Sequence, residues 1–159
     1  MRIKASASGL KAEEYRAELA RDRSYTGTAT VELTDEQMAE LFESADPTDG
    51  FGGGVHIPGL DDLPVHTGLQ INSPRGPGLG RILPNGNVRL VPGDANVFGV
   101  TGRSAEQRLA IDLLLDEDVS IVSLGGKAGT GKSALALCAG LEAVLERRTQ
   151  RKLSLIHIS

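Results

Sequence analysis

The chain has 159 residues and a formal net charge of −4, with 40% hydrophobic and 24% charged residues. This is apolar enough for a packed core, argues against wholesale disorder, and suits one ordinary domain or fragments of two. Aromatics are only 3% with no tryptophan, which disfavours a single-strand binder built on many stacking rings; the acidic balance gives no global footprint for nucleic acid, though a local one is compatible with it. A single cysteine excludes an internal disulfide framework and a cysteine-based zinc cage. With no secretory segment after Met1 and no apolar run long enough to span a bilayer, the expectation is a cytoplasmic, soluble protein with no membrane partner.

In chain order, residues 10–20 read as a short helix with Ala12, Tyr15 and Leu19 on one face. Residues 28–33 read as a strand. Thr34 then opens a helix with Gln37 as its capping-box partner and Met38, Leu41 and Phe42 as its apolar face; Asp46-Pro47 ends it. All seven prolines lie between Pro47 and Pro92, and thirteen of the twenty glycines between Gly50 and Gly102, so this window is turn-rich and poor in helix. Its strands are expected at 67–71, 79–83 and 87–91, the last two joined through Asn85-Gly86. Ser104 and Gln107 form a second capping box, opening a helix whose apolar positions are Leu109, Ile111, Leu113 and Leu114. Residues 119–124 form a nearly continuous apolar run, the pattern of a strand buried on both faces of a parallel sheet. A glycine-rich turn follows, and then a helix over 132–147 rich in Ala, Leu and Glu.

That turn, Gly126-Lys127-Ala128-Gly129-Thr130-Gly131-Lys132-Ser133, fits G-x-x-x-x-G-K-[ST] in the strand–loop–helix setting the motif requires. Glycines let the backbone curl so that several N–H groups face one concavity, and the following helix adds its positive end. Lys132 is positioned to reach β- and γ-phosphates, and the Ser133 hydroxyl to ligate Mg²⁺. The cofactors implied are ATP and Mg²⁺. Gln107 carries two readings: its amide suits the N6 and N7 edge of adenine, and it equally closes the box with Ser104.

Other candidates favour structural roles. Cys138 reads as a small buried hydrophobe, and His56 and His66 as structural or surface residues lacking a third metal ligand. Asp61-Asp62 and Asp116-Glu117-Asp118 read as solvated turns, and the basic residues of 147–152 as a helix end.

Residues 97–151 resemble the start of a PhoH-family ATPase domain. The stretch 124–137, with its Gly-Lys-Ala-Gly-Thr-Gly-Lys core, is very similar to that family. The resemblance implies that Gln107 belongs to an upstream motif akin to the adenine-reading motif of helicases. Residues 3–16 and the segment Val65-His66-Thr67-Gly68-Leu69 resemble the region that, in the longer actinobacterial form, joins a PIN ribonuclease domain to the ATPase. The implied parent is an ATP-dependent RNA helicase coupled to RNA cleavage, with RNA as partner and a homo-oligomer among its assembly states.

The fold expected is α/β: the start of a P-loop NTPase parallel sheet, preceded by a small β-rich connector with one helix. The division is 1–24, a helical tail following a PIN domain outside this chain; 25–98, the connector; 99–152, the N-terminal part of the ATPase; and 153–159, set apart because 154–159 resemble translated sequencing-adapter sequence. No catalytic residue is assigned. The acids after Ser133 are Glu142 and Glu146, both within the helix, so no second Mg²⁺-holding strand acid is visible, and no acidic nuclease core matches a PIN domain. Two further readings are a different P-loop class such as a small-molecule kinase, and a non-catalytic module in which the connector binds RNA or protein.

Overall fold

A computed structural model describes residues 25–45 and 53–156. The helix expected at 10–20, the Asp46-Pro47 stop and residues 157–159 lie outside the described residues.

Strand β1 (Thr28–Glu32) packs Ala29 and Val31 on the core and exposes Thr30 and Glu32. Thr34 then caps helix α1 (Asp35–Glu43): its hydroxyl accepts from Gln37 N at 3.3 Å, and Gln37 Oε1 accepts from Thr34 N at 3.0 Å. Such a cap contributes about 1 kcal/mol. Met38 and Leu41 are buried as expected, but Phe42 is 57% exposed. One helical step of about 100° past Leu41 carries it from the core to the rim.

The chain returns as β2 (Gly68–Asn72), which pairs parallel with β1, Thr28 opposite Gly68. Strands β3 (Gly78–Ile82) and β4 (Val88–Leu90) add antiparallel, giving the order β1-β2-β3-β4. The three expected strands are thus present, shifted or trimmed by a residue or two. The turn between β3 and β4 is built as its sequence demands: Gly86 N donates to Leu83 O, Asn87 N to the Asn85 side chain, and Gly86 takes φ 82°.

Because side chains alternate along a strand, the sheet has two unlike faces. Leu69, Ile71, Ile82 and Val88 form an apolar core with Leu33, Met38, Leu41 and Ile57. The opposite face carries Gly68, Arg81 and Arg89 and meets helix α2 (Ala105–Leu115). Gly68 suits this close approach: a Cβ there would lie 2.6 Å from Leu109 Cδ1, and the leucine would have to shift.

A two-residue hairpin, β5 (Asn96–Val97) and β6 (Val100–Thr101), leads into α2. Phe98 and Gly99 form its turn at φ 48° and 81°. Val97, Ile111 and Leu135 make a second small core, with half-buried Cys138 against it, the role expected for that cysteine. In α2, Leu109 and Ile111 are buried; Leu113 and Leu114 are half-buried.

The α/β class stands, but the strand expected at 119–124 does not form: these residues belong to no strand ladder, and Ile121 is 88% exposed. A doubly buried strand needs paired neighbours on its edges, and none of the described strands flanks this segment. Helix α3 (Lys132–Leu141) gives way at Glu142–Glu146 to one wider turn, closed by Arg147 N donating to Glu142 O. The helical segment thus runs to Glu146, close to the expected 132–147, with its last turn wider than an α-helical one. Among the described residues no helix is long and apolar enough to cross a membrane.

Candidate functional site

The glycine-rich loop lies between α2 and α3. Gly126, Gly129 and Gly131 take φ of 142°, 82° and 86°, conformations that side-chain-bearing residues rarely adopt. Gly131 is the N-cap of α3 and supplies no side chain, so the first-turn N–H groups of the helix have no side-chain cap. The Lys132 ammonium folds back over the loop and donates to Gly126 O at 2.9 Å, Lys127 O at 2.6 Å and Thr130 Oγ1 at 3.2 Å. Thr130 Oγ1 in turn donates to Lys127 O at 3.0 Å, which holds the curl. Ser133, one residue into α3, is exposed, as are Lys127, Ala128 and Thr130. Beside the loop is a cleft of about 430 Å³ whose walls include Gln107, Ala110, Leu124, Lys132 and Leu135.

Gln107 is drawn to this cleft from the connector side. Its Oε1 accepts from Arg103 N at 2.8 Å and Ser104 N at 3.4 Å, and its own N–H donates to the Ser104 hydroxyl at 3.3 Å, so the cap is complete. Its Nε2 donates to Thr130 O at 3.1 Å. One amide therefore both closes the helix start and touches the loop. Beside it, Glu106 is held below its ordinary value by its own backbone N–H and the Ser104 hydroxyl.

What fixes α2, and with it Gln107, is a buried ionic cluster that the sequence pattern did not reveal. Arg81 Nε lies 2.8 Å from Asp112 Oδ2, and Arg89 Nη2 donates to Asp112 Oδ1 at 2.6 Å. Arg81 also pairs through Nη2 with Asp116 and through Nη1 with His66 Nδ1 at 3.0 Å. Asp116 is thus no solvated turn residue: its side chain is 11% exposed and engaged, whereas Glu117, Asp118, Asp61 and Asp62 are exposed as expected. His66 serves structurally; His56 is exposed, 3.8 Å from Asp61. Burial pushes the Asp112 carboxyl above its ordinary value, and the two guanidiniums offset only part of that. Asp116 also feels burial, but its hydrogen bonds from Arg81 and Asp118 N outweigh it and hold its carboxyl low. A signal was available: Arg81 and Arg89 are cross-strand partners facing the same way, a like-charge pair that demands acids, and Asp112 and Asp116 share a helix face.

The donor set suits a nucleotide phosphate: one lysine ammonium, glycine-shaped backbone and an uncapped helix start. Among the described residues no three His, Cys, Asp or Glu side chains converge on a metal site. A Mg²⁺ bound with phosphates needs no such cage, and Ser133 is the exposed hydroxyl that follows Lys132 in the first turn of α3. Glu142 is not placed for that role; it accepts from Phe98 N at 2.9 Å and pairs with Arg147.

Comparison with known proteins matches residues 99–156 to the family described as PhoH-like protein. Over these residues the chain is similar to that family. Protein PhoH2 of Thermobispora bispora is 55% identical over 153 residues, covering 96% of this chain and 33% of that protein. Protein PhoH2 of Mycolicibacterium smegmatis is 54% identical over 152 residues, with the same shares. Protein PhoH2 of Bacillus subtilis is 51% identical over 53 residues, 33% of this chain and 12% of that protein. The chain spans about a third of the length of the first two relatives. No solved structure matches it. The PhoH-like segment holds Gln107, the glycine-rich loop, α2 and α3, and runs on to Ile156.

Proposed function

We propose that the loop 126–133 binds the phosphates of ATP and that the longer protein to which this PhoH-like sequence corresponds is an ATPase acting on RNA. The observation that carries the reading is the seating of Lys132: its ammonium is held inside the curl by three oxygens of the loop. A triphosphate offers that ammonium stronger, charged acceptors in place of neutral ones. Gly126, Gly129 and Gly131 shape the cradle, with Lys127, Ala128 and Thr130 supplying backbone to it, and Ser133 holds Mg²⁺ against the phosphate oxygens. When bound, Mg²⁺ neutralises phosphate charge.

Gln107 faces the cleft with its amide occupied by Arg103 N, Ser104 N and Thr130 O. For it to read adenine, the bonds from Arg103 and Ser104 must be exchanged for bonds to the base edge, so nucleotide entry and the helix cap draw on one side chain. The RNA-directed activity and a coupled ribonuclease are proposed for the longer protein from the sequence resemblance, and the family match and the two PhoH2 relatives support the PhoH-like part of the reading. The test is duplex-RNA unwinding by the longer protein with ATP·Mg²⁺. Unwinding that disappears with Lys132→Ala supports the reading; unwinding unaffected by that change, or dependent on no nucleotide, refutes it.

A further inference from the structure

A second groove has a volume of about 580 Å³, within the roughly 300–1,000 Å³ range of ligand clefts. It runs between the C-terminal part of α1, the ends of β2, β3 and β4, and the start of α2. Its lining is unusual for so acidic a chain: it includes Arg103 and Arg108 and no carboxylate. Phe42, one of only three phenylalanines, stands in its wall 57% exposed. Gln70 and Asn72 add two amide groups from β2. Arg108 is held in place, its Nε donating to Gly102 O at 3.0 Å, and Arg103 is exposed.

We propose that this groove binds a single-stranded nucleic acid, one base resting on Phe42 and the adjoining phosphates on Arg103 and Arg108. The charge fits a polyanion. The exposed ring fits a base rather than a carboxylate side chain, because stacking on an aromatic face is available to every base. The amides of Gln70 and Asn72 offer donors and acceptors that a base edge or sugar hydroxyl satisfies. A positively lined track with one aromatic platform combines the two elements of sequence-tolerant strand binding, at a scale that whole-chain charge and aromatic content do not reveal. The groove shares no lining residue with the cleft beside the loop, and its Arg103 meets that cleft through the backbone bond to Gln107, so strand binding is measured without ATP.

The test is fluorescence anisotropy of labelled oligo-uridylate RNA titrated with the full chain across a salt series, with thermal melting to verify folding of each variant. The double change Arg103→Ala, Arg108→Lys is expected to weaken binding at least tenfold and to flatten the slope of log affinity against log salt by about one phosphate contact. Phe42→Leu, a milder change at an exposed position, is expected to weaken binding about tenfold with the salt slope unchanged. Lys132→Ala is expected to leave RNA affinity unchanged while removing ATP binding, which separates failure of this site from failure of the loop assignment. The proposal is overturned if the chain does not bind the oligonucleotide, if these groove variants bind as the parent does, if Lys132→Ala alone abolishes binding, or if a polyglutamate peptide or a duplex competes as well as the single strand.

Discussion

Replacing Asp112 with alanine removes the acid that holds two buried guanidiniums together. Arg81 and Arg89 have side chains 1% and 8% exposed, and they approach the Asp112 oxygens to 2.8 and 2.6 Å. Without Asp112 the two cations face each other across adjacent strands, short of the acid they share. Deleting one partner of a buried pair costs about 3–5 kcal/mol, because the remaining charge is left desolvated. Against the roughly 5–15 kcal/mol that stabilises a domain, that is a large fraction. The assay is urea denaturation, comparing Asp112→Ala with the double variant Arg89→Met, Asp112→Leu. The double variant exchanges one buried pair for apolar packing and is expected to recover at least half the loss. A loss below about 1 kcal/mol for Asp112→Ala would place the cluster in the class of solvated surface pairs and refute the reasoning.

Gln107→Ala is expected to cost about 1 kcal/mol as a lost cap and to weaken ATP binding, whereas Gln107→Glu keeps the acceptor oxygens but loses the donor to Thr130 O. Calorimetric titration with ATP that shows equal affinity for both variants and the parent would remove Gln107 from the site. Asp116 carries a lowered folded-state value, so its stabilisation is present above the unfolded value near 3.9 and is lost as pH falls through the folded one. Asp116→Asn is therefore expected to be less stable than the parent at pH 6 and to show a shallower acid-side decline in thermal midpoint below about pH 4; an unchanged decline contradicts the assignment. Gly68→Val is expected to cost about 1–3 kcal/mol by pushing Leu109 away from the sheet. A midpoint unchanged in urea would mean that α2 does not press on β2 there.

Local chemistry was the legible part. Two capping boxes and a proline- and asparagine-marked hairpin each specify their own backbone within a few residues and appear where the pattern places them, and Gly126, Gly129 and Gly131 take the positive φ open to glycine. Features that depend on partners distant in sequence were harder to read. The apolar run 119–124 has the composition of a buried strand, yet a strand exists only with neighbours, and Ile121 stands in solvent. Asp116 reads as a turn acid until Arg81, 35 residues earlier, reaches it across the α2–sheet interface. The Phe98-Gly99 turn was also hidden, because a phenylalanine at positive φ contradicts its usual preference and is held by Glu142, 44 residues away. At the candidate site, the loop residues and Gln107 were readable as a motif. The cluster that positions Gln107 against Thr130 was not, because it joins residues from two strands and a helix.

A nucleotide cradle at 126–133 would hold its phosphates through Lys132. Isothermal titration of this chain with ATP in the presence of Mg²⁺, with Lys132→Ala alongside, tests it most directly. Saturable binding by the parent is expected, with a loss of at least tenfold in affinity for the variant and the thermal midpoint of the nucleotide-free protein little changed. Equal affinity for both proteins, or no binding by a folded parent chain, would contradict it.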